Sequence, residues 1–326
     1  MSSTPLLSVI IPFFNNEDFI GAGLCSLFDQ IDDDIEVVII DDGSTDNSVP
    51  LVRQFLAERQ HPSVIFISQE NRGIAYTRNV GLQHAQGRYI TFLDGDDLLS
   101  NEYLKILRPL LLTGEYDLID FNYQKFTSIP PLLPTSTETR FHRYDFKHQG
   151  LACLHTLFAH SMWHLWSRVY KRSLLTGEFF ENDRRYEDVI FTPFQYFKTQ
   201  KITHLDHTLY FYRDNSQGIT RNIKPKDIED MRFAMDKMIS FSEKNSADIP
   251  LKQLAALMVA NCFGEIKSMS KTVYGYYYYH PEMLRSLRRA ATLCRGTAVP
   301  RKRVRQMQYP QLDTLFSKIR WYLKKR

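Results

Sequence analysis

Residues 35–46 read IEVVIIDDGSTD: a run of apolar, mostly β-branched residues interrupted only by Glu36, closed by two carboxylates and a Gly-Ser turn. Apolar residues at successive rather than alternate positions suit a strand covered on both faces, and Asp-Gly-Ser is turn chemistry that ends it. Runs of the same kind lie on either side, at Leu6–Phe14, Val64–Ser68 and Tyr89–Leu93. Helical spacing fills the gaps between them. Phe19, Ile20, Gly23, Leu24, Leu27 and Phe28 share one side, and Ile74–His84 forms another such segment. Asp46 reads as an N-cap, with Pro50 in the following turn and Leu51, Val52, Phe55 and Leu56 as the stripe to be buried. This β-α-β-α-β-α-β alternation predicts an α/β fold built on a doubly wound sheet.

In such sheets ligands bind beyond the carboxyl ends of the strands. Past the first run comes Pro12-Phe13-Phe14-Asn15, past the second Asp41-Asp42-Gly43-Ser44, past the fourth Asp94-Gly95-Asp96-Asp97. Five carboxylates and an aromatic ring are thus expected on one rim. Like charges crowded there need a cation or hydrogen-bond donors, and hard oxygen ligands favour Mg²⁺ or Mn²⁺, which would hold a diphosphate. No GxGxxG follows the first run and no GxxxxGK[ST] occurs, which disfavours a dinucleotide site and excludes a P-loop.

The chain has 326 residues, 43% apolar and 24% charged, so wholesale disorder is excluded. No apolar run approaches the ~18 residues of a spanning helix, and the N-terminal stretch does not read as a signal peptide. Cys25, Cys153, Cys262 and Cys294 are scattered, as reduced thiols of a cytosolic protein would be. The net charge of +4 conceals an acidic body and a basic end: from Arg285 onward thirteen Lys/Arg face one acid, Asp313. Such an end suits an anionic partner.

Ser8-Val-Ile-Ile-Pro-Phe-Phe-Asn15, Val38-Ile-Ile-Asp-Asp-Gly-Ser-Thr-Asp46, Asn71-Arg-Gly-Ile-Ala-Tyr-Thr-Arg-Asn-Val-Gly-Leu82 and Phe92-Leu-Asp-Gly-Asp-Asp-Leu98 together resemble the nucleotide-sugar half of family 2 inverting glycosyltransferases with the GT-A fold. The resemblance implies a Rossmann-like mixed sheet flanked by helices, with a helical C-terminal extension. It implies that Pro12, Phe14, Asn15, Asp41, Asp42, Arg78, Asp94 and Gly95 surround the nucleotide-sugar. Phe14 would stack on the base, Asp41 or Asp42 would accept the base N–H, Arg78 would meet base or diphosphate, and Asp94 the ribose hydroxyls. Asp96 would ligate the metal on the diphosphate, and Asp97 would be a second ligand or an orienting acceptor.

Trp166-Ser-Arg-Val-Tyr-Lys-Arg-Ser-Leu-Leu175, Tyr186-Glu-Asp-Val-Ile-Phe191 and Tyr210-Phe-Tyr-Arg213, followed by Ser216 and Ile219-Thr220, resemble the bacterial polysaccharide subgroup of that family. An inverting transferase needs one general base for the incoming hydroxyl. Asp188 is expected in that role, with Glu187 as its alternate. Trp163, Trp166 and Arg213 are weaker candidates for the acceptor site. His160 and His164 have the spacing of a zinc pair but lack the accompanying Glu.

The expected organisation is a nucleotide-sugar half at 1–100, an acceptor half at 101–222, and a helical extension at 223–326. Ile129-Pro-Pro-Leu-Leu-Pro134 reads as a surface loop. Leu312, Leu315, Phe316, Ile319, Tyr322 and Leu323 share one face of a basic terminal helix, with Trp321 on the polar side. That helix suits either an anionic membrane surface or docking on its own domain. Nucleic acid is not expected, because no recognition fold accompanies the basic residues. The implied activity is metal-dependent transfer from a UDP-sugar to a lipopolysaccharide, O-antigen or capsule intermediate, in the cytoplasm or peripherally on the inner face of the cytoplasmic membrane. Other glycan acceptors such as exopolysaccharide or protein glycan are alternatives. Sugar-phosphate nucleotidyl transfer and a non-catalytic sugar-nucleotide binder are rivals from other classes.

Overall fold

The computed structural model describes residues 4–128, 130, 140–215 and 222–325. The alternation is present as β1 (Leu7–Phe13), α1 (Ile20–Phe28), β2 (Ile35–Asp41), α2 (Ser48–Glu58), β3 (Val64–Ser68), α3 (Ile74–His84) and β4 (Tyr89–Phe92). Then come β5 (Leu98–Leu99), α4 (Tyr103–Thr113), β6 (Leu118–Phe126), β7 (Phe141–Arg143), α5 (Phe146–Gln149), α6 (His155–His160), β8 (Arg168–Lys171), α7 (Arg172–Leu175), α8 (Glu187–Tyr196) and β9 (Ile202–Arg213). Helices α9 (Pro225–Lys244), α10 (Ile249–Tyr274), α11 (Pro281–Cys294), α12 (Arg301–Gln308) and α13 (Pro310–Lys325) complete the chain. The loop expected at 129–134 and the motif residues Ser216, Ile219 and Thr220 lie, Pro130 apart, outside the described residues.

The chain divides into two compact units, Met1–Tyr144 with His164–Ser216, and Asp145–Trp163 with Gln217–Arg326. The first is a mixed sheet of order β3-β2-β1-β4-β8-β6-β9-β5, with β7 on β9. β1 pairs in parallel with β2 on one side and β4 on the other, so the winding direction reverses between β1 and β4. A crevice opens at such a switch point. Pro12 lies at this point. It shares a side of β1 with Ile10, whose carbonyl takes the last bond from the β4 side (Leu93 N–H, 3.0 Å), so the missing N–H costs no ladder bond. β8 then joins β4 antiparallel, and β6 and β9 extend the same sheet. β3 departs from the fully covered strand that its apolar run predicts: it is the sheet edge and only half buried.

Helix α3 lies on β1 and β2 through Gly81, where an added Cβ would overlap the Ile10 side chain and crowd Ile40. Gly81→Ala is therefore expected to cost about 1–3 kcal/mol of stability, read from denaturant midpoints. No loss would mean that α3 can lift off the sheet freely.

The second unit is helical among its described residues. α10 buries Leu254, Met258, Phe263 and Ile266, and ends at Gly275 in the left-handed region (φ 84°). Trp321 of α13 lies against that glycine so closely that no side chain would fit there.

Candidate functional site

The loops after β1 and β2 are tied together by reciprocal hydrogen bonds. Asn15 N–H donates to Ser44 Oγ (2.9 Å) while Thr45 N–H donates to Asn15 Oδ1 (2.8 Å). Glu17 N–H donates to Asp46 Oδ2 (3.0 Å) while Asn47 N–H donates to Glu17 Oε2 (2.9 Å). Asp46 thus stands one residue before the N-cap position, Asn47, and still accepts the Ser48 N–H (2.9 Å). Phe14 sits at the tip of the first loop with 45% of its surface exposed, a ring open to stacking.

Asp41 and Asp42 are both buried, and both are engaged by backbone. Asp41 accepts Ser44 N–H (2.8 Å) and the Ser68 hydroxyl (2.6 Å). Asp42 accepts the amides of Arg72 (2.9 Å) and Gly73 (2.8 Å) and the Gln69 side chain (2.9 Å), which shapes the turn that starts α3.

From α3, Arg78 is buried and spans two carboxylates 93 residues apart in sequence: NH2 meets Asp94 Oδ1 at 2.6 Å, and NH1 meets Glu187. Burial alone would lower its pKa, but Asp94 and then Glu187 hold the guanidinium charged beyond its usual range. Asp188, next along α8, accepts its neighbour Val189 N–H (2.7 Å). Burial, then the charge of Glu187, pushes its carboxyl up to about 7. A carboxylate poised there can take a proton near neutrality. The Glu-Asp pair is therefore split in its contacts, one member clamping Arg78 and the other accepting the Val189 N–H.

The β4–β5 turn carries Asp94, Gly95, Asp96 and Asp97. Gly95 packs so tightly that a Cβ would sit 2.8 Å from Phe13 Cβ. Asp97 is buried and its two oxygens are taken: Oδ2 accepts the Tyr210 hydroxyl (2.8 Å) and Oδ1 the Arg213 N–H (2.7 Å). Of the two expectations for Asp97, orienting acceptor and second metal ligand, this geometry favours the first. Asp96 is half buried, with Asn215 Nδ2 at 3.2 Å from Oδ2. Burial and then Asp94 raise its pKa, so a cation beside it would be welcome. Among the described residues no three His, Cys, Asp or Glu side chains converge on a metal position. That donor set fits Mg²⁺ or Mn²⁺ held by one carboxylate together with phosphate oxygens and water, a mode these hard ions commonly adopt.

Other expectations are corrected. Trp163 and Trp166 are 2% and 5% exposed, so neither is a sugar-stacking platform. Trp166 is packed between Tyr210 (4.4 Å) and His164 (4.6 Å), and Trp163 against Phe158 (4.7 Å). Arg213, the third of the weaker acceptor-site candidates, is engaged within the fold. Its guanidinium lies between Phe19 (4.7 Å) and Phe126 (4.4 Å), and Nε donates to the Asp96 carbonyl (2.7 Å). The four cysteines are free thiols, in agreement with their scattered spacing. Tyr210 and Asn215 were not singled out by sequence reasoning. Tyr210 stood inside a quoted motif without a role, and Asn215 carried no signal.

The Glycosyl transferase family 2 model matches residues 8–174. The uncharacterized glycosyltransferase EpsJ of Bacillus subtilis is 29% identical over 254 residues, 73% of this chain and 70% of EpsJ. Among solved structures, residues 1–349 of S. aureus TarS in complex with UDP-GlcNAc superpose with a TM-score of 0.71 at 19% identity, over 95% of this chain and 88% of that one. The Pyrobaculum calidifontis mannosyltransferase PcManGT, solved with GDP-Man and Mn²⁺, gives 0.52 at 15% identity over 100% and 89%. The fold is shared with both.

Proposed function

The chain belongs to glycosyl transferase family 2 and has the GT-A fold, and we propose that it transfers a sugar from a UDP-sugar, with inversion, to a hydroxyl of a bacterial surface glycan. The observation that carries this reading is Arg78 bridging Asp94 to Glu187, the neighbour of Asp188, where the β4–β5 turn packs on the β1 loop that carries exposed Phe14. The TarS complex with UDP-GlcNAc supports uridine diphosphate as the donor's carrier, and the likeness to a glycosyltransferase of B. subtilis supports a bacterial setting. A lipid-linked lipopolysaccharide, O-antigen or capsule intermediate suits the sequence resemblance.

In this reading Phe14 stacks on the base, and the backbone-braced carboxylates of Asp41 and Asp42 fix the loops that receive it. Pro12 lies where the β1–β4 ladder ends, and Gly95 lets the β4–β5 turn close on Phe13 beside it. Asn15 holds the first loop against the second, and Asp94 takes the ribose hydroxyls. Asp96 would hold Mg²⁺ or Mn²⁺, which when bound supplies positive charge to the departing diphosphate. Asp97, fixed by Tyr210 and Arg213, sets the turn that presents Asp96. Asp188 accepts the proton of the acceptor hydroxyl as its oxygen attacks the anomeric carbon, while Glu187 is held off by Arg78.

A panel of UDP-, GDP- and dTDP-sugars with and without Mn²⁺ tests this. One UDP-sugar is expected to raise the melting temperature only with metal and to release UDP slowly. Chelation should abolish that release, and NMR of the transfer product should show the inverted anomer. Turnover that is indifferent to chelator would remove Asp96 from the mechanism. Pyrophosphate exchange with a sugar phosphate would instead favour nucleotidyl transfer.

A further inference from the structure

Helix α13 docks by its polar side. At 3.6 residues per turn Asp313, Ser317 and Trp321 stack along one side of the helix, and that side faces its own unit. Asp313 pairs with Lys267 (2.8 Å) and accepts the Tyr279 hydroxyl (3.0 Å) and Gln306 Nε2 (3.0 Å). Ser317 Oγ accepts the Tyr277 N–H (3.0 Å), and Trp321 packs on Gly275 with the Tyr276 ring 5.8 Å away. Leu312, Leu315, Phe316, Ile319, Tyr322 and Leu323 are left on the opposite side, each 46–69% exposed.

Cations border this apolar strip. Lys318 flanks it on one edge and Arg320 on the other, and both are exposed, as are Arg301, Lys302 and Arg305 of α12. The only acid beyond Glu282 is Asp313, which is neutralised on the docked side. Soluble surfaces seldom leave so continuous an apolar patch open. No described helix is long and apolar enough to cross a membrane. A strip of aliphatic and aromatic side chains between two cationic edges is the form of a helix lying in the lipid headgroup region. A second copy seated on it would bring like charges together along both edges.

We propose that the Leu312–Leu323 face of α13 is a docking surface for an anionic lipid bilayer. This assignment is separate from the transfer reaction and stands or falls without it.

The test uses the full chain in flotation with vesicles of phosphatidylcholine alone or mixed with phosphatidylglycerol. Binding is expected to the mixed vesicles, to be weak for the neutral ones, and to decline with salt. Leu315→Gln with Ile319→Gln should lower partitioning roughly a hundredfold, and Lys318→Glu with Arg320→Glu roughly tenfold or more. Both pairs are exposed, so the unfolding midpoint and UDP-sugar hydrolysis in solution should be unchanged. Absence of flotation would overturn the proposal, as would flotation indifferent to the apolar pair. So would a wild-type dimer in sedimentation that the apolar pair dissolves. Absence of UDP-sugar turnover in the wild-type chain, with its flotation intact, would count against the transfer reading alone.

Discussion

Asp188→Asn is expected to lower the transfer rate by about 10²–10⁴-fold while UDP affinity is retained, the range seen when a positioned general base is removed. The amide is nearly isosteric but cannot accept the hydroxyl proton. The wild-type rate should also rise with pH and level off above about 7, because burial and Glu187 push the Asp188 carboxyl up to about 7 and only its ionised form is a base. The same shift has a stability sign. Below pH 7 and above the ordinary carboxylate range, the folded protein holds a proton that the unfolded chain has released, so this site's contribution to stability declines as pH rises through about 7. Initial rates against pH for wild type and Asp188→Asn, with UDP titration calorimetry on both, measure all of this. A variant that keeps turnover would move the base assignment to Glu187 or elsewhere.

Arg78→Met is expected to cost about 3–5 kcal/mol of stability, because it leaves Asp94 and Glu187 facing each other without their shared cation in a buried site. Arg78→Lys should recover only part of it, since one ammonium cannot span two carboxylates as the guanidinium fork does. Arg78 also holds down the Asp188 pKa. Any activity left in the variant should therefore need a higher pH. Urea midpoints and a pH profile would decide. A midpoint close to wild type would mean that the ion pairs are screened and carry little.

The parallel half of the sheet was legible because strands buried on both faces leave uninterrupted apolar runs, and Ile74–His84 was found to the residue. The insertion of β8 beside β4 was not, since a four-residue strand has no periodicity to read and its partners are far off in sequence. The aspartates at the strand ends were visible as a pattern. Their division of labour was not: that Asp97 is locked by Tyr210, or that Glu187 and not Asp188 meets Arg78, depends on contacts across more than 100 residues. The tryptophans misled because an aromatic ring reads alike in sequence whether it lines a sugar site or fills a core. In α13 the apolar face was legible and its orientation was not. The misplaced-looking Trp321 was the clue, because it marks the side that docks.

The paired loops at 14–17 and 44–47 have a calorimetric consequence. Four of their backbone amides, those of Asn15, Glu17, Thr45 and Asn47, are already satisfied by side chains of the other loop, so a ring arriving on Phe14 meets a segment that is already ordered. The heat-capacity change on taking up a nucleoside should then reflect the stacked area alone, and the association rate should be set by diffusion and charge rather than by waiting for a loop to close.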